Sequence, residues 1–397
     1  MITRGPCSKG LTLLPLLHSI LPLLTDHGLR ARKVVMRNSS ILIDQSLAGR
    51  APQRPPVFDL FVNDAVIEHF GGASLDGTDD EAVVKAAAAN GLDATRTLAA
   101  PHATQTRFTD PAGNVRVNER WTCWLEKPAY DNVEGWAQWM KDYLDQAQSG
   151  LARTACLDLT EPLCDPQKQE QTKQKQEQYA STLGGTVNVF CTPSTSLNAL
   201  FYYVGLEMVS FLWMDHFDLL EQWIKLYQQE TLNYIEVAGH EQASPLAMIY
   251  SDIAYKNGPL VSPGMLAQVG FWDEVEQFTA ACHARGLKVI FHSDGNIMCL
   301  LDDLVATGID GLNPIEKAAG MDAYEIRRRF PELTIVGGVD VTHLLRVGSP
   351  EEIRCETRRL IDEVGAEGRL LIGSSTEVGD DVPLENYLAF HNEVVEI

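Results

Sequence analysis

The stretch Lys288-Val-Ile-Phe-His-Ser-Asp-Gly-Asn296 brings reactive side chains to the end of an apolar run. The run suits a buried strand, yet it finishes in His292 and Asp294, two residues apart. Residues i and i+2 of a strand point to one face, so imidazole and carboxylate arrive together. Gly295 follows and lets the backbone turn sharply with no Cβ in the way. Such a pair can ligate a metal such as zinc through nitrogen and oxygen, or work as an acid–base pair. A lone histidine on a strand is more often structural, so its company decides the matter.

That company recurs at the ends of similar runs. Cys191 and Thr192 follow TVNVF, and Asp252 follows LAMIYS. GLNPIE offers Asn313 and Glu316, Asp340 ends IVGGVD, and Ser374, Ser375 and Glu377 follow RLLIG. We read His292, Asp294, Asp252 and Glu377 as candidate catalytic residues. Tyr255 and Lys256, on the loop after LAMIYSD, join Asn313, Asp340 and Ser375 as candidate substrate contacts. Asp and Ser at strand ends also cap helices; for Asp340, followed by VTHLLRVG, capping and catalysis are equally supported. His216, Asp218 and Glu221 fit a solvated helix face, and the apolar GLEMVSFLWM fits core. No GxGxxG or GxxxxGK[ST] fingerprint for nucleotides is found.

Elements must hold these groups in one place. TVNVFC (186–191), LAMIYSD (246–252), KVIFHSD (288–294), IDGLNPIE (309–316), LTIVGGVD (333–340) and RLLIGSS (369–375) are near-continuously apolar and alternate with helical segments. Strands of that kind lie parallel and are covered by helices. VFDLFV (57–62) reads as an earlier strand, and residues 107–127 as a hairpin around DPAGN. RNSSILIDQSLAGR predicts a short helix ending near Gly49, and residues 131–148 predict an amphipathic helix with Trp136, Met140 and Leu144 on one face. The strand count approaches eight. The expected architecture is a (β/α)8 TIM barrel with an N-terminal helical extension, in one domain over 36–397; a doubly wound sheet is the alternative. Barrel enzymes build their sites at the C-terminal strand ends, where the polar groups fall.

Composition limits the function. The 397 residues carry 54 Asp and Glu against 32 Lys and Arg, a formal charge of -22. That excludes non-specific nucleic-acid binding and disfavours polyanionic substrates. The eight cysteines form no CxxC and no compact Cys/His cluster, which fits a reducing cytoplasm. Residues 1–35 include LTLLPLLHSILPLL, too short and Pro-broken for a membrane span. No small-x-small cleavage site follows it. We expect a leader or a misassigned start, with Met36 opening the fold and no membrane partner. The glutamine-rich 166–180 is expected to be a solvated surface helix or insertion.

SDIAYKNGPLVSP, KVIFHSDGN, GIDGLNPIEKAAGMD, LTIVGGVD and LLIGSSTEV with VPLEN, in that order, resemble the uroporphyrinogen decarboxylase (URO-D) superfamily. AGRAPQRPPVFDLFVNDAVIEHFGG extends the resemblance to 36–397. The resemblance implies one barrel and two chemistries. Decarboxylases of the superfamily bind a polycarboxylate with an arginine-rich segment after the first strand. Here no arginine occurs between Arg54 and Arg96. The corrinoid-dependent methyltransferase branch is more similar. Its His-x-Cys and a distant Cys hold zinc that activates a thiol. His292 matches that histidine, Asp294 stands in place of the first cysteine, and Ser374 or Ser375 falls about where the second would lie. Oxygen ligands make a harder, more Lewis-acidic metal than thiolates do.

The resemblance therefore implies a methyltransferase moving a methyl group between a small O- or N-methyl compound and a separate corrinoid protein. His292, Asp294 and Glu377 would hold zinc, and cobalamin would arrive only on the partner, because the chain shows no DxHxxG motif. Two alternatives stand beside it. One is a metal-free decarboxylase-like lyase using Asp294, Asp252 and His292 for protons; the other is a non-catalytic ligand binder.

Overall fold

The computed structural model describes residues 39–72, 74–75, 80–96, 98, 100–148, 174, 183–241 and 244–396. The strands, in chain order, are β1 (Phe61–Val62), β2 (Ala94–Thr95), β3 (His102–Thr109), β4 (Val115–Arg120), β5 (Thr122–Lys127), β6 (Val187–Asn188), β7 (Phe190–Cys191) and β8 (Leu246–Tyr250). They continue with β9 (Ala254–Tyr255), β10 (Gly258–Pro259), β11 (Lys288–His292), β12 (Gly311–Asn313), β13 (Thr334–Val339), β14 (Leu370–Ser374) and β15 (Val378–Gly379). The helices used below are α1 (Ser39–Leu47), α2 (Asp64–Gly71), α3 (Asp80–Asn90), α4 (Val133–Gln148), α5 (Ser196–Tyr203), α6 (Leu206–Asp215), α7 (Phe217–Ala238) and α8 (Pro263–Gln268). After them come α9 (Phe271–Ala284), α10 (Leu301–Ala306), α11 (Ala323–Arg329), α12 (Leu344–Val347), α13 (Pro350–Arg359) and α14 (Leu384–Val395).

Parallel pairing runs β14-β13-β12-β11-β8-β7. β7 resumes the line of β6 after Val189, and β6 pairs in parallel with β2. Parallel bridges from Phe58 to Ala94 and from Val57 to Ile372 then join β2 to β14 through residues 57–58. The ring is closed: a TIM barrel, as the alternating apolar pattern predicted.

Side-chain alternation divides the core in two. Phe58, Ala94, Val187, Val189, Leu246, Met248, Ile290, Val336 and Leu371 fill the barrel interior as one cluster. Their strand neighbours Ala247, Ile249, Val289, Phe291, Ile335 and Ile372 pack outward with the helices. The period of two carries Tyr250 and His292 inward, one step above Met248 and Ile290.

The N-terminal extension closes the other end. Ile43 and Leu47 of α1 belong to the interior cluster. Ser46 Oγ donates to the Leu370 carbonyl, and the Arg369 amide donates to the Ser46 carbonyl at 2.7 Å. Burying Ile43 fully is worth roughly 2 kcal/mol. With α1 plugging the N-terminal ends of the strands, access lies at their C-terminal ends. Gly49 ends this region at φ 65°, a conformation favouring glycine.

Three expectations need revision. Residues 102–127 form a three-stranded antiparallel meander, β3-β4-β5, because the chain reverses a second time at Arg120 and Trp121. Trp121 Nε1 anchors that reversal on Asp64 at 2.8 Å. β2 went unrecognised in the sequence; its two strand residues are too few for a periodic signal. GLEMVSFLWM buries Val209 and Leu212 but exposes Leu206, Phe211 and Met214, so only one face of α6 is core. In α4, Trp136 and Met140 are buried as expected, joined by Tyr143 in preference to Leu144. Residues 1–35 and, apart from Gln174, 166–180 lie outside the described residues. Among those described, no single helix is long and apolar enough to cross a membrane.

Candidate active site

His292 ends β11 facing the barrel interior, with 7% of its surface exposed. Its Nδ1 lies 2.7 Å from Asn313 Oδ1, and Asn313 Nδ2 donates to the Val336 carbonyl at 3.1 Å. The second bond orients the amide, so its oxygen faces the imidazole and must accept a proton from it. Nδ1 therefore carries the hydrogen, and Nε2 keeps a lone pair.

That lone pair meets two carboxylates. Nε2 is 3.6 Å from Asp252 Oδ1 and 3.9 Å from Asp294 Oδ1. One donor atom from each of Asp252, His292 and Asp294 lies within 4.8 Å of the others. Asp252 is set by its own amide, which donates to Asn198 Oδ1 at 2.9 Å, while its Oδ1 accepts the Asp294 amide at 3.1 Å. Beyond Asp294, Gly295 turns at φ 85° with its amide donating to Glu316 Oε2 at 2.5 Å. A Cβ there would come within 2.7 Å of the Ala254 and Tyr255 backbone, so glycine is required by close approach as well as by φ.

Electrostatics sharpen the picture. Burial pulls His292 down to about 4, helped by the Arg96 charge and opposed by Asp252 and by its bond to Asn313. The imidazole is neutral at physiological pH. Burial pushes Asp294 up to about 7, with Asp252, Glu316 and Glu377 adding repulsion and Arg96 relieving some of it. Asp294 is divided: 48% of its side chain meets solvent, but Oδ1 is enclosed and has no hydrogen-bond partner. A neutral nitrogen lone pair and two carboxylates thus converge, with the Asp294 amide donating to Asp252 but no donor reaching Asp294 Oδ1. A metal cation, or a proton shared among them, would satisfy all three.

The other expected residues divide. Asn313 joins the site as the orienting partner of His292. Glu377 forms an ion pair with Arg96, and its charge reaches Asp294 without its oxygens joining the close trio. Asp340 settles as a cap: its carboxylate accepts the amides of Thr342, His343 and Leu344. Ser375 is buried with Oγ accepting the Val341 amide. Tyr255 and Lys256 sit exposed at the small β9–β10 hairpin beside the mouth.

Sequence reasoning missed Arg96, Tyr250 and any role for Glu316. Tyr250 is the last residue of β8; its ring centre is 4.5 Å from that of His292, and its hydroxyl is enclosed without a partner. Arg96 directly follows β2, and its guanidinium carbon lies 5.2 Å from the centre of the Tyr250 ring. Alternation along LAMIYS carried a signal for Tyr250, on the same face as Met248, whereas the two-residue β2 gave no comparable signal for Arg96.

Comparison with known proteins agrees with this architecture. Residues 219–397 match the family model described as uroporphyrinogen decarboxylase (URO-D). No curated protein matches the chain. Among solved structures, a methyltransferase from Methanosarcina mazei superposes with a TM-score of 0.62 at 17% identity, covering 90% of this chain and 98% of that one. At that identity the likeness speaks for the fold.

Proposed function

We propose that this chain, whose residues 219–397 match the URO-D family model, is a methyltransferase moving a methyl group between a small O- or N-methyl compound and a separate corrinoid protein. The convergence of Asp252, His292 and Asp294 around an unpartnered Asp294 Oδ1 carries this reading. The fold shared with a methyltransferase supports it. So does the lack of arginine between Arg54 and Arg96, where a decarboxylase would need to hold a polycarboxylate.

The donor set fits a divalent cation such as zinc: one imidazole nitrogen with a free lone pair and two carboxylate oxygens. Asp252 takes the third position that the sequence had suggested for Glu377. Zinc bound there supplies Lewis acidity toward the heteroatom that carries the methyl group. The protein's own work is orientation. Asn313 fixes the His292 tautomer, as metal-ligating histidines require of their partners. Asp252 holds the Asp294 backbone through its amide, so the two carboxylates move as one unit. The Tyr250 ring packs against His292 at one side of the trio, limiting water there. Cobalamin belongs to the corrinoid partner, which meets the open C-terminal end of the barrel.

A metal-free lyase is the second reading, favoured by one observation: a proton on Asp294, held at about 7, would also satisfy the trio. Metal content separates the two. We expect about one zinc per chain in the purified full chain, and none in His292→Ala. A wild-type protein that is metal-free, and whose activity survives exhaustive chelation, removes the zinc-assisted methyl transfer.

A further inference from the structure

Arg96 has no part in that chemistry, yet it is built into the same mouth. It follows Ala94 and Thr95 of β2, two residues beyond the inward-facing Ala94, so its side chain starts toward the interior. Its guanidinium stacks over Tyr250, whose other neighbour is the His292 ring. Its charge is felt at His292, Asp294 and Cys191. The ion pair with Glu377 engages one terminal nitrogen, and the other donors of the five-donor fork make no hydrogen bond among the described residues. Side-chain exposure is 21% for Arg96 and 42% for Glu377. The arginine is the fixed member, stacked on an aromatic ring; the glutamate reaches it from the solvent side.

We propose that Arg96 is the anion-recognition residue of this site, and that Glu377 occupies the place of a carboxylate on the substrate. A planar guanidinium pairs bidentately with carboxylates, and the group already lying against it is a carboxylate. The substrate class narrows to small methyl donors that bear a carboxylate, bound with that group on Arg96 and the methylated heteroatom near His292. Asp252, Asp294, Glu316 and Glu377 crowd the mouth around Arg96 with negative charge, so a metal cation in the trio assists entry of an anion. Glu377 then turns out to solvent, and exchange of one carboxylate for another leaves the Arg96 charge paired throughout.

This inference rests on the barrel mouth being the substrate site, and its test is binding, so it stands or falls apart from methyl transfer. Methoxyacetate and its neutral counterpart methoxyacetamide are titrated into the full chain, with and without one equivalent of zinc, and followed by ligand-observed NMR. Methoxyacetate binds the wild type, more tightly with zinc, and methoxyacetamide binds at least about ten-fold more weakly. Arg96→Gln loses about ten-fold in methoxyacetate affinity, and Arg96→Lys recovers part of it. Glu377→Gln gains affinity several-fold, a result that misfolding cannot mimic. Equal binding of the acid and the amide, an Arg96→Gln variant that binds as the wild type does, or no binding in either zinc arm overturns the proposal. Binding as described without methyl transfer to any corrinoid protein would instead refute the proposed function and leave Arg96 in its role.

Discussion

Asp59 offers a sharp test of the electrostatic reasoning, at the seam where the barrel closes. It follows the strand-forming Val57 and Phe58 and is 1% exposed. Its Oδ1 lies 2.6 Å from Ser374 Oγ, which lies 2.5 Å from the Thr376 carbonyl. A hydroxyl has one proton, so Ser374 Oγ cannot donate fully both to Asp59 Oδ1 and to the Thr376 carbonyl. A proton on the Asp59 carboxyl, donated to Ser374 Oγ, removes that competition. Burial independently pushes Asp59 up to about 7, against the bonds from Ser374 and Leu60 that favour its ionised form. The sign follows from linkage. Between the ordinary aspartate value of 3.8 and about 7, the folded protein keeps a proton that the unfolded chain has lost. Stability therefore falls as pH rises through that window, at up to about 1.4 kcal/mol per pH unit. Over the whole window the effect reaches about 4 kcal/mol at most, and about 2–4 once the site relaxes. Asp59→Asn keeps the shape without the charge. Any hydrogen bond it loses shifts its stability equally at every pH, so only the pH-dependent difference counts. Urea unfolding of both proteins at pH 4, 6 and 8 gives that difference directly, because the other carboxylates cancel. The variant should gain on the wild type by about 2–4 kcal/mol from pH 4 to pH 8. A difference that stays flat with pH refutes the reading of Asp59 as a neutral acid.

Three further outcomes are expected. His292→Ala should abolish turnover and zinc binding while leaving the circular dichroism spectrum intact; turnover equal to the wild type would dismiss the site. Asn313→Ala frees the imidazole and should weaken zinc affinity about 10–100-fold in a chelator competition, with about 1–3 kcal/mol lost in unfolding from the unpaired His292 N–H and Val336 carbonyl. Asp340→Ala removes a cap from the chain leading into α12 and should cost about 1 kcal/mol of stability, with zinc stoichiometry by mass spectrometry unchanged.

The barrel was legible because its strands are buried on both faces and read as apolar runs, and β8, β11, β13 and β14 appear where LAMIYSD, KVIFHSD, LTIVGGVD and RLLIGSS predicted them. β2 escaped because two residues in register with β6 suffice to continue the ring, and two residues carry no period. Arg96 was lost with it, since a side chain cannot be assigned a face before its strand is known. His292, Asp294 and Asp252 were recognisable from their position at strand ends, and their convergence is a consequence of parallel register: His292 lies opposite both Tyr250 of β8 and Asn313 of β12. Asp340 and Glu377 occupy equivalent strand-end positions but serve different ends. Which amides or cations a carboxylate meets depends on the loop's path, and the sequence alone does not specify that path.

The donor set bears on the substrate as well as on the metal. A superfamily site with thiolates holds an electron-rich metal, which keeps a bound sulfur nucleophilic. Here Asp252 and Asp294 offer only oxygen, and His292 is neutral, its protonation suppressed by burial. Oxygen donors release less charge to the metal than polarisable sulfur does, so a cation among them stays a harder acid. A hard acid polarises oxygen and nitrogen better than it activates a thiol. In the proposed reaction the heteroatom left behind by the methyl group is therefore the one the metal can stabilise, and the acceptor must bring its own nucleophile, as a corrinoid partner does. The same substitution of oxygen for sulfur that weakens the case for thiol chemistry thus fits an O- or N-methyl donor. Asp294→Cys should move the site back toward thiol binding, and a Cys variant with unchanged preference among donors would break that link between ligand softness and substrate.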